Sequence, residues 1–142
     1  MAHVKRTVLV AHSAEKMFGL VAGVADYPKF LPWCAGSSVQ DLHETGMTAT
    51  VKIDFKGLRQ QFTTINSHKP FESIVLVLKD GPFSQLNGRW NFEPLGEDAC
   101  EVSFELNYVF AAGLLGPFLV PVFDAIASSF VDAFVKRADD LY

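Results

Sequence analysis

The C-terminal stretch from Leu114 to Tyr142 repeats apolar residues at steps of three and four, and this period predicts one long helix. Its apolar face comprises Leu115, Leu119, Val122, Phe123, Ile126, Phe130 and Phe134. The other side, which includes Asp124 and Asp132, is expected to face solvent. Burying the apolar face is worth roughly 10–20 kcal/mol of gross transfer free energy, at about 1.5–3 kcal/mol per side chain. The helix therefore needs a cover, which the upstream chain must supply.

The first part of the chain predicts a strand followed by two short helices. Residues 4–11 alternate with a period of two, which is typical of a strand. Ser13 is the expected N-cap of the first helix. Asp26 is expected to cap the second, and Pro32 to end it.

From Ser37 onward the period of two returns and predicts six further strands, at residues 39–43, 47–55, 58–67, 73–78, 85–92 and 100–110. Phe62 and Ile65 have opposite parities, which a bulge or an edge position would explain. The unbroken apolar run at 73–78 favours a strand covered on both faces. Short turns between the strands favour an antiparallel meander. We predict an α+β fold, with a curved antiparallel sheet wrapped around the long C-terminal helix in one domain, residues 1–142.

Composition and charge narrow the classes of protein that remain. Apolar residues at 49% and 13 phenylalanines exclude a disordered chain, and the net charge of -4 argues against a dedicated DNA-binding protein. No run reaches the ~18–20 apolar residues of a membrane span, and the N-terminus enters a strand pattern rather than a signal peptide. Cys34 and Cys100 form no CxxC motif and are expected as free thiols in a reducing, cytoplasmic compartment.

No catalytic or metal-binding set is evident in the sequence. The four histidines, His3, His12, His43 and His68, show no metal-ligand spacing, and each is expected at the surface. Neither GxxxxGK nor GxGxxG occurs, so no phosphate-binding loop is predicted. We therefore predict no catalytic residue, no metal and no required cofactor.

Two local motifs carry a resemblance to a known family. Residues 26–34, DYPKFLPWC, resemble the "YPxFLPWC" segment of the coenzyme-Q-binding START proteins, and residues 81–92, GPFSQLNGRWNF, are similar to their "GPFxxLxGxWxF" signature. These proteins belong to the START-like (SRPBCC) superfamily with the polyketide cyclases, and their bacterial members include proteins named ribosome association toxin RatA. The resemblance implies a helix-grip fold that binds a hydrophobic isoprenoid quinone such as ubiquinone between the sheet and the C-terminal helix.

Inward positions on the predicted strands and helix give the candidate ligand tunnel, with ordinary core packing as the alternative for each residue. Trp90 and Tyr108 carry the N–H and O–H groups that could hold a quinone carbonyl, whereas Asn87 and Arg89 have the opposite parity and should face outward. The candidate tunnel residues are Met47, Val51, Phe55, Phe62, Leu86, Trp90, Leu106, Tyr108, Val122, Phe123, Ile126 and Phe130. The family motif supplies a candidate tunnel rim at Tyr27, Pro28, Phe30, Pro32 and Trp33. The alternative is a structural role, in which Trp33 and Phe30 close one end of the sheet and the prolines set the shape of the loop.

Residues 109–123 contain no charged side chain before Asp124, and they include two glycines and two prolines. An uncharged apolar loop at the surface is typical of a membrane or partner contact. Leu114, Leu115 and Phe118 are the candidate contact residues. A loop folded back over the core is the alternative.

The sequence is compatible with three functions. The first is non-enzymatic binding or delivery of ubiquinone or a similar lipid, in the cytoplasm or at the inner face of the membrane. The second is a RatA-like toxin that blocks association of ribosomal subunits, for which Lys52, Lys56 and Arg59 are the candidate contacts. The third is a polyketide cyclase or aromatase, which ranks last because the assigned inward positions are nearly all apolar.

Overall fold

The computed structural model describes residues 2–111 and 116–142, with side chains from residue 120 onward in the second range. Seven strands precede a long C-terminal helix, and two short helical segments follow the first strand. The elements in chain order are β1 (Ala2–Val10), α1 (Ala14–Ala22), a 3-10 helix (Val24–Lys29), β2 (Cys34–His43), β3 (Gly46–Phe55), β4 (Leu58–Lys69), β5 (Ser73–Asp80), β6 (Phe83–Pro94), β7 (Cys100–Phe110) and α2 (Gly116–Leu141).

The strands form one antiparallel sheet in the order β1-β7-β6-β5-β4-β3-β2. The inner face of this curved sheet carries alternate side chains such as Ala49, Val51 and Trp90, and it packs with the helices into one core. The outer face is more polar, and Asn87 and Arg89 lie exposed on it as their parity indicated. The predicted α+β arrangement of a sheet around the C-terminal helix is confirmed.

The first helix begins as the sequence indicated, but the second does not. Ser13 caps α1, since its Oγ accepts a hydrogen bond from the N–H of Lys16 at 3.1 Å. The expected cap at Asp26 is wrong, because the 3-10 helix already begins after Gly23, the residue that also ends α1. Asp26 lies within it and pairs with Lys29, Oδ1 to Nζ 2.8 Å. The helix also ends before Pro32.

The turn between β3 and β4 sets which side chains face inward. Lys56 and Gly57 have φ angles of 47° and 84°, the two successive positive values that a two-residue hairpin turn of type I′ requires. The register that follows pairs Val51 with Phe62 and Ala49 with Thr64. Even-numbered residues of β4 therefore share the inner face with odd-numbered residues of β3.

Of the two explanations for the parities of Phe62 and Ile65, the structure favours the bulge. Strand β4 lies between β3 and β5 and is not an edge, and its register against β5 shifts between Thr63 and Thr64. The expectation for β5 is wrong: this strand is not covered on both faces, because Val77 is 51% exposed on the outer face beside its partner Ile65. The apolar run of β5 thus alternates between a core side and a solvent side.

Helix α2 buries the face that the period of three and four indicated. Phe123, Ile126 and Phe134 are almost fully buried, and the small side chains of Ala127 and Ala138 complete the buried stripe. Leu114 and Leu115 lie outside the described residues, as do the side chains of Phe118 and Leu119. Within residues 2–111 and 116–142, no helix has the length and apolar character that crossing a membrane requires. Cys34 and Cys100 are buried free thiols, as expected.

Arg6 on the edge strand β1 fastens the C-terminal half of α2 to the sheet. Its Nη1 donates to the backbone oxygen of Ser128 at 2.8 Å, and its Nη2 lies 2.9 Å from Oδ1 of Asp132. This bidentate contact joins the two ends of the chain. Asp132, expected on a solvated face, is exposed but paired.

Replacing Arg6 by Met should lower the free energy of unfolding by about 1–2 kcal/mol, because a charged donor to a helix carbonyl and carboxylate is lost. Urea unfolding followed by circular dichroism measures the change. Arg59→Met is the matched control, since Arg59 makes only a 3.6 Å contact to Asp54 with its side chain 82% exposed, and it should cost no more than about 0.5 kcal/mol. Equal effects of the two substitutions would contradict the role given to Arg6.

Candidate ligand cavity

One apolar cavity lies between the inner face of the sheet and the helical segments; we call it the sheet–helix cavity. The space open to the centre of a water-sized sphere is about 50 Å³. Its walls are Val21, Ala22, Val24, Tyr27, Leu31, Trp33, Ala49, Val51, Phe62, Thr64, Asn66, His68, Ile74, Leu76, Trp90, Phe130 and Phe134. The sheet, α1, the 3-10 helix and α2 all contribute to it.

Part of the predicted tunnel lines this cavity. Four of the tunnel residues do so, namely Val51, Phe62, Trp90 and Phe130, and so do Tyr27 and Trp33 of the predicted rim. The cavity lining does not include the other predicted tunnel residues or the rest of the predicted rim. These are Met47, Phe55, Leu86, Leu106, Tyr108, Val122, Phe123 and Ile126 of the tunnel, and Pro28, Phe30 and Pro32 of the rim.

An aromatic cluster fills the space beneath the first turns of α2 that the sequence assigned to the tunnel. The ring of Phe123 lies 4.6 Å from that of Tyr108 and 5.2 Å from that of Phe83, measured between centroids. Phe83 in turn stacks on Phe110 at 4.9 Å. These rings form packed core, and none of the four lines the cavity.

Tyr108 does not present its hydroxyl to the cavity. The O–H donates to Oδ1 of Asp124 and lies 3.2 Å from the backbone oxygen of Val120. Burial, together with the hydrogen bond to Asp124, raises the pKa of this phenol above its usual value. Asp124 was expected on the solvated side of α2; it is half-buried instead, because it is the acceptor for this hydroxyl.

Trp33 forms one wall of the cavity at the start of β2. Its side chain is 2% exposed, and its ring stacks on Phe130 with centroids 4.8 Å apart and planes inclined by 23°. Its backbone oxygen accepts from the N–H of Asp54 at 2.9 Å, which fixes the residue to β3. The indole Nε1 is buried and has no hydrogen-bond partner.

A row of polar residues on β4 lines the same cavity, although their polarity predicts a position facing solvent. Thr64, Asn66 and His68 occupy alternate positions of the inner face. The hydroxyl of Thr64 donates to Oδ1 of Asn66 at 2.6 Å in a buried contact. The signal that could have found them is the Lys56–Gly57 turn, whose register places even-numbered residues of β4 inward.

His68 contradicts the expectation that every histidine lies at the surface. Its ring packs edge-on against Phe18 at 5.7 Å, and its Nε2 is buried without a partner. Burial, with a smaller contribution from His43, lowers the pKa of His68. His12 is also largely buried, with its Nε2 2.6 Å from Oδ1 of Asp139, whereas His3 and His43 are exposed.

The helical wall is held by hydrogen bonds to main-chain carbonyls. The hydroxyl of Tyr27 donates to the oxygen of Val21, and the hydroxyl of Ser37 donates to that of Val24 at 2.7 Å. Burial raises the pKa of the Tyr27 phenol. Among the residues that the structure describes, no group of three or more His, Cys, Asp or Glu side chains could hold a metal ion.

Comparison of the sequence with known protein families assigns the family of this chain. The sequence profile described as "Polyketide cyclase / dehydrase and lipid transport" matches residues 10–135. The chain belongs to this family. The match spans both short helical segments, all of β2 to β7 and most of α2.

Proteins similar to this chain carry different names. A Vibrio cholerae protein named ribosome association toxin RatA is 42% identical over 142 residues, or 100% of this chain and 99% of that protein. Coenzyme Q-binding protein COQ10 homolog B, mitochondrial, from Xenopus laevis is 28% identical over 138 residues, or 94% of this chain and 57% of that protein. The crystal structure of Zhui aromatase/cyclase from Streptomyces sp. R1128 superposes with a TM-score of 0.86 at 19% identity, covering 97% of this chain and 93% of that one, which shows a shared fold.

The three basic residues predicted as ribosome contacts do not line the sheet–helix cavity. Lys52, Lys56 and Arg59 are all exposed near the β3–β4 turn. The Nε of Arg59 lies 3.6 Å from a carboxylate oxygen of Asp54, so an acidic group adjoins the cluster. Their role as a contact surface stays a prediction.

Replacing Tyr108 by Phe should destabilise the fold without affecting the cavity. The substitution leaves the half-buried Asp124 carboxylate without its donor, which should cost about 1–3 kcal/mol of unfolding free energy in urea titration. Uptake of a short-chain ubiquinone by the folded variant should match that of the wild type. Loss of quinone uptake together with an unchanged free energy of unfolding would contradict this assignment and indicate that Tyr108 contacts the ligand.

Proposed function

We propose that this protein binds a hydrophobic ligand of the isoprenoid-quinone type in the sheet–helix cavity and catalyses no reaction on it. The observation that carries the proposal is the cavity itself, which is enclosed by the sheet, α1, the 3-10 helix and α2 and is walled mainly by apolar side chains. The fold, the lipid-transport family and the names of the relatives support a ligand-binding or RatA-like role. Ubiquinone is the specific ligand that we propose.

The driving force for such binding is transfer of apolar area out of water. At about 0.8 kcal/mol per buried methylene-sized group, each five-carbon isoprenoid unit contributes on the order of 3–4 kcal/mol before ordering costs. The rings of Trp33, Phe62 and Trp90 offer flat apolar surfaces of the kind on which a quinone ring packs. Few hydrogen bonds are needed for affinity, and those present set orientation.

Ligand entry must widen the cavity, because drug-sized ligands occupy pockets of roughly 300–1,000 Å³ and the space here is about 50 Å³. The sheet wall consists of strands β3 to β6, each hydrogen-bonded to neighbours on both sides. The helical wall is held by side-chain packing and single hydrogen bonds such as that from Ser37 to Val24. We therefore propose that the helical wall moves when the ligand enters.

The ionisable groups among the lining residues support a binding rather than a catalytic role. They are His68 and Tyr27, and the hydroxyl of Tyr27 already donates to the carbonyl of Val21. General acid–base catalysis uses positioned groups within hydrogen-bond reach of the reacting atoms. A single histidine on a largely apolar wall fits a contact to a ligand better than a proton-transfer pair.

The direct test is mass spectrometry of organic extracts from protein purified without detergent, followed by titration with a short-chain ubiquinone. We expect a stoichiometric isoprenoid quinone in the extract or saturable uptake of the added one. Val51→Phe should reduce uptake at least tenfold, because Val51 lines the cavity and the larger ring would occupy it. Ile53→Phe is the matched control, since Ile53 is buried on the same face of β3 but outside the lining.

Two results would contradict this function. One is an empty extract from protein that also takes up no added quinone. The other is equal loss of uptake in the two phenylalanine variants when both are folded by circular dichroism, because that would trace the loss to general overpacking rather than to the cavity.

A RatA-like action on the ribosome is the second candidate, favoured by the 42% identity over the whole chain to the Vibrio cholerae protein of that name. Overexpression should then increase free ribosomal subunits relative to assembled ribosomes in sucrose-gradient profiles. A Lys52→Glu/Arg59→Glu variant should no longer increase the free subunits. The matched control is Lys5→Glu/Lys79→Glu, which makes the same charge change at other exposed positions and should still increase them. An unchanged profile on overexpression of the wild type would remove this candidate.

A further inference from the structure

Two unpartnered polar atoms belong to residues of the sheet–helix cavity. Across the residues that the structure describes, three buried side-chain nitrogen or oxygen atoms lack a hydrogen-bond partner: Trp33 Nε1, His68 Nε2 and Arg137 Nε. The first two lie on residues that line the cavity. A buried polar group without a partner costs about 1–3 kcal/mol, so native structures rarely keep one without a reason. A bound ligand that supplies the missing partners is such a reason.

The unpartnered groups define what the ligand must offer. The indole N–H of Trp33 can only donate, so it requires an acceptor on the ligand. Asn66 uses its Oδ1 to accept from Thr64, which leaves its Nδ2 amino group as a second possible donor. His68 in its neutral form carries one donor and one acceptor, and its lowered pKa favours that form. The polar side chains of the wall therefore match carbonyl oxygens.

The charge of the wall limits the ligand further. The lining residues include no Lys, Arg, Asp or Glu. A carboxylate or phosphate moved into this cavity would lose its hydration without gaining a counter-charge, at a cost of at least several kcal/mol. The charged head groups of fatty acids and phospholipids are therefore excluded from the interior.

We propose that the ligand of the sheet–helix cavity is an uncharged carbonyl compound, one oxygen of which accepts a hydrogen bond from Trp33 Nε1, while His68 and Asn66 on β4 form the second polar contact. This inference rests on the proposed function and adds the chemistry of the head group and the residues that recognise it. A ring with two carbonyl groups and an apolar substituent satisfies both contacts.

A double-mutant cycle between protein and ligand tests the assignment. The probes are a ubiquinone with one isoprenoid unit, a benzene ring bearing the same prenyl group without carbonyls, and decanoic acid, each titrated by calorimetry. Trp33→Phe removes the donor and keeps an aromatic ring beside Phe130. We expect it to weaken binding of the quinone about 5–30-fold more than binding of the carbonyl-free probe, as the loss of one hydrogen bond of ~1–2 kcal/mol implies.

Phe62→Leu is the matched control, because Phe62 lines the same cavity and its side chain has no polar atom to offer the ligand. It should weaken both ring probes by the same factor. His68→Phe should repeat the selective loss for the quinone. Decanoic acid should bind the wild type at least tenfold more weakly than the quinone.

The outcomes separate this inference from the proposed function. If none of the probes binds the wild type, the proposed function fails. If the quinone binds and Trp33→Phe weakens both ring probes equally, the cavity stands but the hydrogen-bond assignment is overturned. Decanoic acid bound as tightly as the quinone would overturn the exclusion of charged ligands.

Discussion

The need to cover the apolar face of α2 governs the structure. Phe123, Ile126 and Phe134 on this helix are almost completely buried, and the curved sheet supplies their cover. The fit is uneven along the helix. Near Phe123 the sheet presents the large rings of Tyr108 and Phe83, and the space is filled. Farther along the helix, Phe130 stacks on Trp33 and Phe134 lies edge-on to Trp90. These four rings line the cavity together with smaller side chains such as Ala49, so contacts that cover α2 also wall the cavity.

Much of the fold could be predicted from the sequence because alternation and helical period report directly on which side chains are buried. The strands, the capped first helix and the long final helix all follow from that signal. Thr64, Asn66 and His68 were missed for the same reason: sorting by polarity assigns polar side chains to solvent, and a polar wall of a ligand cavity breaks this rule. The hairpin turn at Lys56–Gly57 carries the register information that corrects it.

The candidate site was predicted less completely because its limits depend on tertiary contacts. Tyr108 has the inward parity expected of a cavity residue, but Asp124 on α2 takes up its hydroxyl, and periodicity says nothing about a partner 16 positions away. Trp33 lies in the family motif, yet only the structure shows that its indole nitrogen is left without an acceptor. The cavity and the basic residues near the β3–β4 turn occupy different faces of the sheet, so the two proposed functions depend on different parts of the structure.

The central claim is that the sheet–helix cavity takes a carbonyl ligand against Trp33. The chain has two tryptophans, and both line the cavity, so its two indole N–H signals in a ¹H–¹⁵N correlation spectrum report on this site alone. Titration of ¹⁵N-labelled protein with a short-chain ubiquinone should shift the Trp33 indole N–H strongly in the direction of hydrogen bonding, with a smaller change at Trp90. Saturable binding that leaves both indole signals in place would contradict the account.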